Sequence, residues 1–334
     1  MPFSTLPDEL ARWAQILTAA PAYQPAAAGL TALTRLPFCD GVLVVMGENL
    51  TRYAIEPLWH ELASRELSWA LLPPFTVADA DVLVLALSGY DVTLAEWCKQ
   101  QDWPLDAVHV PALPTLDKAG LILMDMDSTA IQIECIDEIA RLAGVGEQVS
   151  AVTAAAMHGK LEFADSLRNR VALLKGAPVS ILDQVAANLP LMPGLTDLVD
   201  GAKAAGWKVA IASGGFTRFA GKLQRELGLD HIEANELATD GETLSGQVLG
   251  RIVDARVKAQ TLVRLQADYG ITAGQTVAIG DGANDLPMLA EAALGVALHA
   301  KPIVREQAKV AIRQLDLEAV LCLLHAGTRL ARLR

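Results

Sequence analysis

The sequence has few cysteines, no long apolar run and no excess of positive charge. Its 334 residues include four cysteines without CxxC spacing, which argues against a disulfide framework and predicts free thiols in a reducing compartment. The net charge of -12, from 39 acidic and 27 basic residues, argues against a nucleic-acid partner or an anionic membrane surface. A small anionic substrate is still compatible with this charge, because it needs only local positive charge.

The sequence also shows no pattern typical of a membrane span or of a signal peptide. Apolar residues make up 52% of the chain, yet no apolar run is long enough to span a bilayer. The stretch MPFSTLPDELARW has no basic region followed by an apolar stretch, so it does not predict a signal peptide. We therefore expect a cytoplasmic protein. None of the six histidines has a partner at metal-ligand spacing, and we expect none to be catalytic.

Residues 1–115 are predicted to form an N-terminal domain. The first 40 residues or so predict an irregular lead-in with helical pieces. From Gly41 onwards, strand-like and helix-like patterns alternate in the stretches GVLVVMG, YAIEPLWHELASRE, LSWALLP, DVLVLAL, LAEWCKQQ and AVHVP. This is the β-α-β-β-α-β order of a ferredoxin-like α+β domain. The stretch VPALPTLDKAG then predicts a linker.

Residues 116–334 predict a doubly wound α/β domain with a mostly parallel, Rossmann-like sheet. The apolar runs GLILMD, WKVAIASGG, TVAIGDGAND and LGVAL do not alternate with polar residues, which is typical of strands buried on both faces. An insertion at about 131–192 is helical in pattern and follows the first strand. It predicts a cap over the carboxyl ends of the strands, where open α/β sheets bind ligands. The core would then comprise 116–130 and 193–334.

Acidic residues follow two of these strands. Asp125 and Asp127 end the stretch GLILMDMD, and GDGAND contains Asp281 and Asp285. Residues i and i+2 of an extended chain point the same way, so we expect several carboxylates at one sheet edge, where they would repel one another without a cation. Oxygen ligands without a nearby histidine or cysteine favour Mg²⁺ over zinc. Alternatively, these aspartates could be ordinary helix caps and turn residues. The presence of both acidic motifs, with SGG between them in the sequence, argues against that interpretation.

A carboxylate can also attack phosphorus and form an aspartyl phosphate, while a neighbouring acid transfers protons and a cation and a lysine neutralise charge. The motifs DMDST, SGG, Lys258 and GDGAND, in this order, resemble the haloacid dehalogenase superfamily of phosphatases. Longer stretches resemble its phosphoserine phosphatase family over roughly Leu121 to Leu324, including DMDSTAIQIECIDEIA, GKLEFADSLRNRVALLKG, LPLMPG, IASGGFT, IVDARVKAQTL and IGDGANDLPML. The N-terminal domain is similar to the degenerate ACT-like extensions of some bacterial members.

The resemblance implies Mg²⁺-dependent hydrolysis of O-phospho-L-serine, the last step of serine biosynthesis. It implies that Asp125 is the nucleophile and a metal ligand, that Asp127 is the general acid and base and binds the metal through its backbone carbonyl, and that Asp281 is the third ligand. The other implied roles are phosphate contacts by Ser213, the N–H of Gly214 and Asn284, neutralisation of the phosphoaspartate by Lys258, support by Asp285, substrate contacts by Glu134 and Arg170, and pocket walls at Met157 and Phe163.

The roles that the resemblance implies for Glu134 and Arg170 also have a chemical reason. An amino acid carries a cation and an anion on one carbon, so a selective site needs one group of each sign, and an arginine fork suits the carboxylate. Arg168 lies two residues before Arg170, and either could be a surface charge; only the family pattern selects Arg170.

Two other functions stay open at this point. One is a phosphatase of the same superfamily that acts on another small ester, or that transfers the phosphoryl group to a second alcohol. The other is a regulatory amino-acid-binding protein in which the N-terminal domain carries the function. We expect that domain to contribute to packing or to a homodimer.

Overall fold

The chain folds around two seven-stranded sheets. A computed structural model describes residues 7–26, 29–157 and 162–334, except for the side chains of Ala11 and Met157. The N-terminal part contains α1 (Leu10–Ile16), β1 (Ala22–Ala26), β2 (Gly29–Leu33), β3 (Gly41–Glu48), α2 (Glu56–Ala63), β4 (Trp69–Leu71), β5 (Phe75–Val77), β6 (Ala80–Leu87), α3 (Val92–Gln100) and β7 (Asp106–Val110).

The second part carries the other sheet and all remaining helices. Its strands are β8 (Leu121–Met124), β9 (Lys208–Phe216), β10 (His231–Asp240), β11 (Thr243–Leu249), β12 (Thr276–Gly280), β13 (Leu294–Leu298) and β14 (Val310–Ile312). Its helices are α4 (Cys135–Leu142), α5 (Gly146–Met157), α6 (Phe163–Ala172), α7 (Ser180–Ala187), α8 (Leu195–Ala204), α9 (Thr217–Leu227), α10 (Ala255–Asp268), α11 (Leu286–Glu291), α12 (Pro302–Gln307) and α13 (Glu318–Ala331).

The N-terminal sheet contains the predicted β-α-β-β-α-β unit. Strands β4, β6, β3 and β7 are adjacent in this order, and all three of these pairings are antiparallel. The expectation of an irregular lead-in was wrong for residues 22–26 and 29–33, because β1 and β2 pair antiparallel and extend this sheet beside β4. The short strand β5, which pairs with β6, was also not predicted.

The second sheet is the predicted doubly wound, mostly parallel sheet. Its order is β11-β10-β9-β8-β12-β13-β14, and every pairing is parallel except that of β10 with β11. Strand β8 is therefore central. Its alternate residues serve two cores: Ile122 and Met124 belong to the cluster that contains α8 and α13, whereas Leu121 and Leu123 pack with α10 and α11. Burial on both faces explains the unbroken apolar run.

The helices α4 to α7 interrupt this domain between β8 and β9, as the sequence predicts for a cap. The insertion places them beyond the carboxyl end of β8, and α5 was not recognised as a separate helix in the sequence. The outer limits of the cap, at about 131 and 192, and the domain boundary between 115 and 116 stay predictions, as does the homodimer. None of the helices in the described ranges is both long and apolar enough to cross a membrane.

Helix α13 lies between the two sheets. Its sequence EAVLCLLHAGTRLA is apolar around most of its circumference, which is typical of a helix that is covered on all sides. Val320 and Leu323 are fully buried and belong to the same core as Val44 and Val84 of the N-terminal sheet. A glycine at position 327 is needed because a Cβ there would lie 2.1 Å from the carbonyl oxygen of Pro114.

Candidate active site

The carboxyl end of β8 places two aspartates at the sheet edge beneath the cap. The backbone N–H of Asp125 still donates to the carbonyl of Ile279 on β12, at 3.0 Å, so Asp125 continues the strand. The chain then turns sharply: Ser128 has a φ of 56°, and the N–H of Ala130 returns to the carbonyl of Met126 at 2.8 Å. This turn sends the chain into the cap directly after Asp127.

A buried lysine joins the two acidic motifs. Lys258, on α10, is fully buried, and its Nζ lies 2.7 Å from Oδ2 of Asp125 and 2.8 Å from Oδ1 of Asp285. The other oxygen of Asp285 accepts the N–H of Gly282 at 3.0 Å. Burial lowers the pKa of Lys258, but the carboxylates of Asp125 and Asp285 outweigh burial and raise it above its usual value. The lysine is therefore held as a cation beside Asp125.

The site contains more negative than positive charge. Asp125, Asp281 and Asp285 each place a carboxylate oxygen within 4.8 Å of the others. Burial and the charges of Asp125 and Asp285 raise the pKa of Asp281 to about 7. Burial, Glu134 and Asp125 raise the pKa of Asp127 to about 8. One lysine does not neutralise this group of carboxylates, so the residues fit a bound divalent cation.

The SGG motif forms a close-packed loop at the end of β9. The hydroxyl oxygen of Ser213 accepts the N–H of Gly215 at 2.9 Å, which leaves the hydroxyl proton of Ser213 available to a ligand. A Cβ on Gly214 would lie 2.6 Å from the Phe163 ring, and one on Gly215 would lie 2.6 Å from Oδ2 of Asp127. Both glycines are required because other side chains approach the backbone here.

Asn235, which the sequence did not suggest, holds this loop in place through a hydrogen bond to its backbone. Its side-chain N–H donates to the carbonyl of Gly214 at 2.8 Å, and its side-chain oxygen accepts the N–H of Val253 at 2.8 Å. Asn235 is almost fully buried on β10. No motif signals it, because its position depends on the pairing of β10 with β9.

A cavity of about 540 Å³ opens between this sheet edge and the cap. On the cap side, Glu134 accepts a hydrogen bond from the Ser128 hydroxyl at 2.9 Å. Arg170 faces the same cavity from α6, and its Nε is buried without a hydrogen-bond partner among the described residues. Burial lowers the pKa of Arg170, although Asp137 and Glu134 oppose that effect. A buried guanidinium nitrogen without a partner indicates that an anionic ligand belongs here.

The cavity brings together most of the predicted site residues. Its lining includes Asp125, Asp127, Glu134, Phe163, Arg170, Ser213, Gly214, Asp281 and Asn284. Lys258 and Asp285 are not part of the lining. Lys258 contacts the lining residue Asp125, and Asp285 contacts Lys258. The predicted wall at Met157 lies outside the described side chains. Three lining residues that the sequence did not suggest come from the start of α12 and the residue before it: Lys301, Ile303 and Val304.

Comparison with known proteins agrees with this geometry. The family model of haloacid dehalogenase-like hydrolases matches residues 120–293. The chain is 55% identical to a phosphoserine phosphatase of Haemophilus influenzae over 229 residues, which cover 69% of this chain and 73% of the relative. It is also 55% identical to a phosphoserine phosphatase of Vibrio cholerae over 223 residues, covering 67% of this chain and 68% of that one.

Solved structures extend the similarity to the N-terminal part. The unliganded crystal structure of a probable phosphoserine phosphatase from Vibrio cholerae has a TM-score of 0.74 and 43% identity, and it covers 95% of this chain and 98% of its own. A substrate-bound phosphoserine phosphatase complex has a TM-score of 0.58 and 41% identity over 61% of this chain and 97% of its own. Fold, motifs and relatives agree, and the chain belongs to the phosphoserine phosphatases of the haloacid dehalogenase superfamily.

Proposed function

We propose that this protein hydrolyses O-phospho-L-serine to L-serine and phosphate through an aspartyl phosphate on Asp125. The observation that carries the substrate class is the pair of opposite charges on the cap. Glu134 and Arg170 line the same cavity as Asp125, and Arg170 keeps a buried Nε without a partner among the described residues. A carboxylate would satisfy that nitrogen, and Glu134 would receive the ammonium group.

In the first step, a carboxylate oxygen of Asp125 attacks phosphorus. The bond from phosphorus to the serine oxygen breaks, its electron pair stays on that oxygen, and Asp127 donates the proton that completes the serine hydroxyl. In the second step, Asp127 accepts a proton from water as the water oxygen attacks phosphorus. The bond from phosphorus to Asp125 then breaks, which restores the free carboxylate and releases phosphate.

Four residues are proposed to bind the phosphoryl group. Ser213 directs its free hydroxyl proton and Gly214 its backbone N–H towards the phosphate oxygens, and Asn284 contacts them from the GDGAND turn. Lys258 neutralises the phosphoaspartate, which is supported by its contact of 2.7 Å with Asp125. Phe163 packs over Gly214 and limits the access of water to this loop.

We propose Mg²⁺ as the cation that balances the carboxylates. Asp125 and Asp281 would hold it together with the backbone carbonyl of Asp127, and Asp285 would support the arrangement through Lys258 and Gly282. The proposal of Mg²⁺ rather than zinc is supported by the donor set of hard oxygens. When bound, the ion supplies positive charge to the phosphoryl oxygens.

Chelation of divalent ions should therefore abolish activity. With EDTA we expect phosphate release from O-phospho-L-serine to fall at least about 100-fold, because the carboxylates then repel the incoming phosphate. Excess Mg²⁺ should restore the rate and also raise the melting temperature, since the ion binds only the folded chain. Full activity in EDTA after extensive dialysis would contradict a metal-dependent site.

The cap arginine provides the test of the substrate. We expect Arg170→Ala to raise KM for O-phospho-L-serine by about 100-fold, because the substrate carboxylate loses a charge-assisted fork. Turnover of p-nitrophenyl phosphate, which has no carboxylate, should change little. The matched control is Arg168→Ala on the same helix, because Arg168 is exposed and pairs with Asp165 at 3.1 Å. Equal effects of the two substitutions on KM would remove Arg170 from the substrate site.

A further inference from the structure

Helix α12 separates the active-site cavity from the N-terminal domain. Lys301, Ile303 and Val304 line the active-site cavity. Pro302, Arg305 and Glu306 line a second cavity of about 490 Å³, whose opposite wall is formed by Glu96, Lys99 and Gln100 of α3. The two sides of one short helix thus face the catalytic centre and the other domain.

This helix needs external support to keep its position. It has six residues, and a helix of this length has little stability of its own. Val304 is its one fully buried apolar residue, whereas Ile303 is 56% exposed. Its place therefore depends on contacts at its ends.

Lys99 of the N-terminal domain makes such a contact. Its Nζ donates to the carbonyl of Glu306 at 3.0 Å and to the carbonyl of Ala308 at 3.1 Å. The last carbonyls of a helix have no partner within the helix, and a cation there is favourable. Lys99 is only partly exposed, so its ammonium is held against these oxygens more firmly than a freely solvated lysine would be.

The other end of the same helix presents a second lysine to the cavity. Lys301 is exposed at the cavity edge, and its side chain has no hydrogen bond or ion pair within the described part of the chain. The acids around the cavity carry a negative field, while the proposed substrate brings a phosphate and a carboxylate. A cation at the entrance would attract and hold such an anion.

We propose that the N-terminal domain positions one wall of the active site: Lys99 holds α12 so that Lys301 faces the anionic groups of the substrate. Lys301 is then a further substrate-binding residue, and Lys99 is a positioning residue that acts through it. This inference rests on the proposed function, because it requires an anionic substrate in the cavity.

The test substitutes Lys99 in the whole chain, and the variants are assayed in the presence of Mg²⁺. We expect Lys99→Met to raise KM for O-phospho-L-serine about fivefold, with a smaller effect on kcat, because a charge at the edge of the site is displaced and the reacting groups are not. Amide hydrogen exchange should become faster in residues 302–308. Lys99→Arg should restore both values, and Lys118→Met, at an exposed position, should change neither.

A double substitution distinguishes positioning from general destabilisation. Lys301→Met alone should raise KM to a similar extent, and adding Lys99→Met to it should produce no further increase, because the two residues act in series. An unchanged KM in Lys99→Met, or KM effects that multiply in the double variant, would overturn the inference. If the unsubstituted protein did not hydrolyse O-phospho-L-serine, the proposed function itself would fail, which is a separate result.

Discussion

Asp125→Asn should reduce the turnover of O-phospho-L-serine by at least about 10⁴-fold, because an amide cannot replace the carboxylate as nucleophile. The substitution keeps the shape of the side chain. The oxygen that accepts the N–H of Met126 at 2.7 Å can still do so. Repulsion from Asp281 and Asp285 decreases, but the amide nitrogen then takes the place of the oxygen that pairs with Lys258, which keeps only Asp285 as a charged partner. We therefore expect the fold to persist with a lower melting temperature.

The measurement combines steady-state rates with trapping of the covalent intermediate. Labelled substrate, quenched in acid, should leave phosphate on the unsubstituted protein that hydroxylamine removes, and none on Asp125→Asn. Asp165→Asn is the matched control, because Asp165 is exposed and pairs only with Arg168 among the described residues. Covalent phosphate on Asp125→Asn at the level of the unsubstituted protein would show that another residue is the nucleophile.

Lys258→Met should affect both stability and catalysis. The substitution keeps the length of the side chain but leaves Asp125 and Asp285 without their buried cation. Removal of one partner from a buried ion pair costs about 3 to 5 kcal/mol of unfolding free energy. We also expect kcat to fall by about 10² to 10³, because the charge of the phosphoaspartate is no longer neutralised.

Denaturant unfolding and rates measured well below the melting temperature separate these two effects. Lys222→Met is the matched control, since Lys222 forms an ion pair with Glu226 at the surface of α9. Such pairs contribute at most about 1 kcal/mol. A kcat for Lys258→Met within threefold of the unsubstituted value would show that the ion pair serves stability alone.

The parts of the site that follow directly from the sequence are those carried by buried strands. Asp125 ends a strand that is covered on both faces, and Asp281 follows another strand of the same kind. Unbroken apolar runs identify such strands, and parallel pairing brings their ends to one edge. The convergence of the two acidic motifs is therefore predictable from the sequence alone.

Residues at less regular elements could not be found in this way. Asn235 lies on β10, whose register with β9 shifts between Glu233 and Asn235, so no sequence period places it beneath Gly214. The strand pair of β1 and β2 contains a proline and is mostly not buried, so it lacks the apolar pattern of a strand. Lys301 lies in the mixed stretch HAKPIVREQ, which belongs to none of the motifs, and only the fold brings it to the cavity.

The N-terminal sheet also shows how a local pattern can be ambiguous. GVLVVMG is buried along nearly its whole length, which would suit a parallel strand, yet β3 pairs antiparallel on both sides. The reason is that its own helices cover one face and α13, more than 200 residues later in the chain, covers the other. A short stretch of sequence does not contain that information.

The central claim is that the cap selects an amino-acid phosphate for chemistry at Asp125. The most direct test is phosphate release with Mg²⁺ from O-phospho-L-serine, phosphothreonine, a sugar phosphate and p-nitrophenyl phosphate under identical conditions. We predict that kcat/KM for O-phospho-L-serine exceeds that for the sugar phosphate and p-nitrophenyl phosphate by about 10³ or more, because those esters leave Glu134 and Arg170 without partners. An equal or higher kcat/KM for the sugar phosphate would contradict the claim.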